Sequence, residues 1–274
     1  MHRLRFVLAF VVVAAACAPR RSEVPGPTPA VSAAGSYDVV IAGGRIVDGT
    51  GSAWFYGDVA LRGDRIARIT PPGMLAAAQA RERIDATNLV VAPGFIDIQS
   101  HSRGSFLFGD GRVVSKVTQG VTTEIMGEGS TNAPLNPRMT GDLSRLPPER
   151  RAVIERFMQP NGFSQWLEAM ERHGVSPNVG SFVGASTIRE YVKGMALGPA
   201  SPAELDTMRA LMRRAMEDGA FGLASALIYP PGNFASTEEL AEIAGAMAPS
   251  GGVYITHMRS EADQFLEAID EAIQ

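Results

Sequence analysis

Residues able to bind a metal or move a proton fall at the ends of short apolar runs in this 274-residue chain. Gln99 ends the run Gly94–Gln99 and His101 follows it, Glu128 follows Val121–Gly127, and His257 closes Val253–His257. Imidazole and carboxylate are the ligands that zinc and neighbouring metals accept. A catalytic zinc site ordinarily has three protein ligands and a water. The pattern therefore points to metal chemistry without completing a site. The plainer alternative stays open: Glu128 as a cap for a loop amide, and His257 as a hydrogen-bonded histidine at a strand end. His173 closes a helix, where an imidazole meets the helix dipole favourably, and is read as structural.

These residues need a scaffold that brings strand ends together. Asn178–Gly184 and Phe221–Ala226 are further apolar runs of the kind expected for strands buried on both faces. Helical patterns lie between the runs. Ser201-Pro202-Ala203-Glu204 is a capping box with proline at the first helical position, followed by Leu205, Met208, Leu211, Met212 and Met216 on one face, with Gly219 as the stop. Ser236 and Glu239 repeat the box ahead of Leu240, Ile243, Ala244 and Met247. Ser164 opens a helix carrying Trp166, Leu167 and Met170 and ending at Gly174. Strand–helix alternation implies a parallel sheet with its ligands at the carboxyl ends of the strands. Periodicity alone leaves both an open doubly wound sheet and a closed barrel standing.

The block before it, 37–88, reads as a small β unit. Tyr37–Ala42 and Arg45–Val47 are strand-like and separated by Gly43-Gly44, and Gly63-Asp64 suits a hairpin turn between Asp58–Arg62 and Arg65–Ile69. Ahead of this block, Arg3 and Arg5 precede the apolar run Phe6–Ala16, which is too short to span a bilayer but suits a secretory signal. Small residues then lead to Cys17, the sole cysteine, in a pattern that resembles a bacterial lipoprotein signal. The expectation is a signal over 1–16, a proline-rich linker over 17–36 lipidated at Cys17, and export to the periplasm with a lipid anchor in the outer membrane; ordinary signal cleavage is the alternative. Hydrophobic residues make up 45% and charged residues 20%, which argues against wholesale disorder. A net charge of −4 with no basic patch argues against a nucleic-acid partner.

Val91-Ala92-Pro93-Gly94-Phe95-Ile96-Asp97 is similar to the opening strand motif of the amidohydrolase superfamily. Gly120–Glu124, the run 222–232 (GLASALIYPPG), Ala235–Leu240 and Tyr254–Arg259 together resemble the N-acyl-D-amino-acid deacylases, in register from about Tyr37 to Gln274. The resemblance implies an α/β fold: a (β/α)8 barrel, about five of its eight strands over 89–274, with 37–88 as part of a small β-sandwich. It implies zinc, one ion or two, and metal-assisted hydrolysis of the amide of a small-molecule N-acyl-D-amino acid. Its first strand normally ends His-x-His, where this chain has Gln99-Ser100-His101, so the metal position nearest that motif is expected to be weakened or absent. Glu128 stands where the family has a metal-ligating cysteine. His257 matches a ligand, His101 is a secondary ligand or polar contact, and Tyr229 matches a tyrosine that contacts substrate. Asp97 and Arg259 are read as structural. A further histidine and the aspartate base are expected beyond Gln274, which makes the chain an amino-terminal fragment without its base. Two other readings are compatible with the motifs: an amidohydrolase acting on cyclic amides or dipeptides, and a non-catalytic binding lipoprotein.

Overall fold

The computed structural model describes residues 36–274. The expected signal over 1–16 and the lipidation site Cys17 lie outside these residues, as does all of the 17–36 linker but its last residue. The chain divides into two compact units between Ala92 and Pro93; the strand pattern of the sequence placed the change after 88. No helix among the described residues is long and apolar enough to cross a membrane.

The first unit is one mixed sheet. Strands β1 (Tyr37–Ile46), β2 (Phe55–Arg62), β3 (Arg65–Thr70) and β4 (Ala80–Asp85) stand in the order β3-β2-β1-β4, and β5 (Val90–Val91) pairs with β1. The two strands expected on either side of Gly43-Gly44 are a single strand instead. The glycine pair is absorbed as a bulge between Ile41 and Gly44, with Gly43 at a positive φ. The buried carboxylate of Asp58 steadies this bulge, accepting from the Gly43 N–H at 2.9 Å and from the Leu75 N–H at 3.2 Å.

The second unit opens with β6 (Phe95–Ser100), α1 (Arg103–Phe108), α2 (Val114–Val117) and β7 (Val121–Met126). It continues through α3 (Pro148–Arg156), α4 (Gly162–His173), β8 (Asn178–Ser181), β9 (Val183–Gly184), α5 (Ala185–Lys193), α6 (Pro202–Glu217), β10 (Gly222–Ala226), α7 (Thr237–Gly245), β11 (Val253–His257) and α8 (Phe265–Ile273). All its strand pairs are parallel, in the orders β6-β7-β8 and β9-β10-β11. The Phe182 N–H donates to the Met126 carbonyl and the Phe221 N–H to the Ser181 carbonyl, so β8 and β9 are one strand interrupted at Phe182. Consecutive strands are therefore neighbours throughout, without the reversal of order that marks a doubly wound sheet.

Burial corrects one expectation. β10, flanked by strands on both sides, is buried at every position. Among the described residues β6 has a neighbour only in β7, and Phe95, Ile96 and Ile98 on it are more than half exposed. The helices share one apolar core that includes Phe106, Phe163, Trp166, Met170, Met208, Met212, Leu223 and Ile243. α4 starts at Gly162 rather than Ser164, and its buried face is Phe163, Trp166, Ala169 and Met170.

The two capping boxes differ. At α6 the box is complete: the Ser201 hydroxyl accepts from the Glu204 N–H while the Glu204 carboxylate accepts from the Ser201 N–H. At α7 the Ser236 hydroxyl accepts from the Glu239 N–H at 3.2 Å, but the Glu239 carboxylate turns inward to the buried Arg189 guanidinium, 2.6 Å away. Arg189 also donates to the Ala196 and Gly198 carbonyls, so one ion pair ties α5, the following loop and α7 together. Removing one partner strands a buried charge, whereas replacing both with apolar groups does not. Glu239→Ala is expected to lower stability in urea titrations by about 3–5 kcal/mol. The pair Arg189→Met with Glu239→Leu should recover most of that loss.

Candidate functional site

Glu128 sits in a loop of unusual backbone. Gly127 and Gly129 flank it, both at positive φ. A Cβ at Gly127 would lie 2.2 Å from the Phe182 carbonyl oxygen, and one at Gly129 would lie 2.6 Å from the Ala226 Cβ. Only glycine combines that conformation with that close approach. The Ser186 N–H donates to the Gly129 carbonyl and the Thr131 N–H to the Thr187 hydroxyl, which pins the loop to the start of α5.

The loop delivers the carboxylate to a meeting point of strand ends. Glu128 Oε1 accepts from the Gln99 amide at 2.7 Å and faces His257 Nδ1 at 3.0 Å. Glu128 Oε2 faces His101 Nε2, also at 3.0 Å. The Glu128 side chain is 10% exposed and that of His257 17%, whereas His101 reaches into the open at 61%. The second nitrogen of His257 faces Glu261 at 3.1 Å. The exposed ring of Tyr229 stands edge-on to the His257 ring at 5.6 Å. The structure thus brings together Gln99, His101, Glu128, Tyr229 and His257. The donor types suit zinc, one carboxylate and two imidazoles. The imidazoles bind opposite oxygens of Glu128, and no set of three His, Cys, Asp or Glu side chains among the described residues is arranged to close round one ion.

A second polar cluster holds the first strand. Glu124, fully buried in β7, accepts from the hydroxyls of Ser100 and Ser102 and pairs with Lys116 at 3.1 Å; Lys116 also pairs with Asp97 at 2.5 Å. Ser100 and Ser102 bracket His101, so this buried carboxylate steadies the backbone that presents the imidazole. Burial opposes the charges of both Asp97 and Lys116. Their mutual hydrogen bond, the Gln99 N–H donated to Asp97 and the attraction of the pair prevail, holding the Asp97 carboxyl below the ordinary aspartate range and raising Lys116, which Glu124 also favours. Arg259 makes two hydrogen bonds to Glu271 and donates to the Asn233 and Ala235 carbonyls, a structural brace. His173 closes α4 and binds the Gly109 carbonyl at 2.9 Å.

Glu124, Lys116, Glu261 and Arg103 escaped the sequence reading. A glutamate in the midst of the strand Val121–Met126 was the one available signal, since an unpaired carboxylate is not tolerated there. Glu261 and Arg103 carry no such signal.

No protein-family model matches the chain. A D-aminoacylase of Alcaligenes xylosoxydans xylosoxydans is 36% identical over 242 residues, covering 87% of this chain and 48% of the relative. The crystal structure of a D-aminoacylase, which defines a subset of amidohydrolases, superimposes with a TM-score of 0.73 at 37% identity, over 86% of this chain and 48% of that one. An N-acyl-D-glutamate deacylase from Bordetella bronchiseptica, complexed with zinc and a phosphonate mimic of the tetrahedral intermediate, gives 0.75 at 29% identity, over 87% and 48%. The chain's structural neighbours are amidohydrolases of the α/β barrel type, and its own fold is α/β. Its close relatives among them are N-acyl-D-amino-acid deacylases, and it spans about half the length of these relatives.

The Asp97–Lys116 pair yields a pH dependence. Because the folded pKa of Asp97 lies below its unfolded value, its contribution is complete above the unfolded pKa and is lost as pH falls through the folded one. Asp97→Asn should be less stable than the parent at neutral pH. The gap should close below about pH 4, measured by urea titration at each pH.

Proposed function

We propose that the whole protein is a zinc-dependent deacylase that hydrolyses the amide of N-acyl-D-amino acids, releasing a carboxylate and a free D-amino acid. The observation that carries this reading is the meeting of His101 and His257 on the Glu128 carboxylate at the strand ends of a chain 36% identical to a D-aminoacylase. Glu128 and His257 would hold the zinc, with His101 as a secondary ligand or substrate contact. Bound there, zinc supplies Lewis acidity at the amide carbonyl. The chain's own residues orient. Gln99 fixes one oxygen of Glu128, Glu261 fixes the outer nitrogen of His257, and Tyr229 offers an exposed ring beside it for the substrate. The general base is assigned to no residue of this chain.

The supporting scaffold in this reading is a barrel of which β6 to β11 form five strands, counting β8 and β9 as one, with the first unit as part of a β-sandwich. The protein is exported to the periplasm and held at the outer membrane by a lipid on Cys17.

Purified whole protein supplied with zinc should release D-alanine from N-acetyl-D-alanine and leave the L-isomer intact. Tight zinc binding with no hydrolysis of any acylated amino acid would identify a binding protein instead. A second outcome concerns Glu128. Glu128→Cys should still bind zinc but lose activity on treatment with peroxide, because a thiolate oxidises and a carboxylate does not. Equal resistance of the two proteins to peroxide would refute that role.

A further inference from the structure

A cavity of about 550 Å³ opens beside His101, within the size range of small-molecule sites. His101, Arg103, Ser130 and Glu190 are among its polar lining residues, and Leu143 and Phe157 among its apolar ones. Arg103 differs from the other half-buried or buried cations of this unit. Lys116, Arg189 and Arg259 each meet a carboxylate, whereas Arg103 meets none among the described residues. Its Nη1 donates to the Ser130 carbonyl at 2.6 Å and to the Ser130 hydroxyl at 3.1 Å. Those neutral oxygens fix the plane of the guanidinium, and its Nε and Nη2 make no hydrogen bond among the described residues. A guanidinium with its plane fixed presents paired N–H donors that match a carboxylate in shape and charge.

We propose that Arg103 binds a carboxylate of the substrate in this cavity, next to the zinc-binding residues, while Leu143 and Phe157 receive apolar parts of the same molecule. The inference rests on the deacylase reading, which supplies substrates that always carry a carboxylate, and a second one where the amino acid is acidic. Glu190 also lines the cavity and repels an anion, which leaves Arg103 as the group there that attracts one.

The test uses the whole zinc-loaded enzyme and its Arg103→Gln and Arg103→Lys variants. The probes are N-acetyl-D-alanine, N-acetyl-D-glutamate and, as the uncharged comparison, N-acetyl-D-alaninamide as substrate or competitive inhibitor. Arg103→Gln should raise the KM of a carboxylate substrate about tenfold or more without weakening the carboxamide, and Arg103→Lys should recover part of the loss. An effect on N-acetyl-D-alanine identifies the main carboxylate as the partner; an effect on N-acetyl-D-glutamate alone identifies the side-chain carboxylate. Equal changes for charged and uncharged probes, or a fall in kcat alone, would mean that Arg103 only braces the Ser130 loop, and the proposal fails. If the parent enzyme hydrolyses none of these compounds, the deacylase reading fails by itself. Calorimetric binding of N-acetyl-D-glutamate then decides the cavity: binding lost in Arg103→Gln supports it, and binding unchanged overturns it.

Discussion

A carboxylate that water scarcely reaches must be surrounded by donors, and the candidate site is organised by that requirement at Glu128. Three side chains from two strand ends satisfy it: Gln99 near the end of β6 with His101 just after it, and His257 at the end of β11. The two imidazoles are held in turn. Glu124 binds the serines that bracket His101, and Glu261 takes the far nitrogen of His257. A ligand held by its own partners keeps its orientation when it binds a metal, which makes these outer contacts as much a part of the site as the ligands themselves.

The same requirement reaches into the backbone. Glu128 arrives at its donors only because the glycines beside it accept positive φ and let the loop lie against Phe182 and Ala226. Phe182 is where β8 gives way to β9, so the interruption of that strand and the path of the Glu128 loop are one arrangement seen from two sides. The parallel order of the strands supplies the rest, since it puts the ends of β6, β7 and β11 on the same edge.

Much of this was legible beforehand. Apolar runs ended at Gln99, Glu128 and His257 because buried parallel strands carry their chemistry at one end, and the motifs around Tyr229 and His257 pointed to the deacylases. What escaped depended on partners distant in sequence. Glu239 completes a capping box by its spacing from Ser236, yet a buried guanidinium is a stronger claim on its carboxylate than one backbone amide. Gly43-Gly44 reads as a break between strands, yet Asp58 from the neighbouring strand holds it as a bulge. Arg103 carries no signal in its local sequence, and only folding sets it against Ser130. The lining of the cavity comes from segments as far apart as His101 and Glu190, and no local pattern announces such a gathering.

The diverted carboxylate of Glu239 has a consequence for how the molecule assembles. Helix α6 carries its full start signal in its own sequence and can begin to wind before anything packs on it. Helix α7 carries half of one, because its Glu239 carboxylate is committed to Arg189 in α5. The order of α7 is therefore tied to that of α5, and the two belong to one cooperative unit.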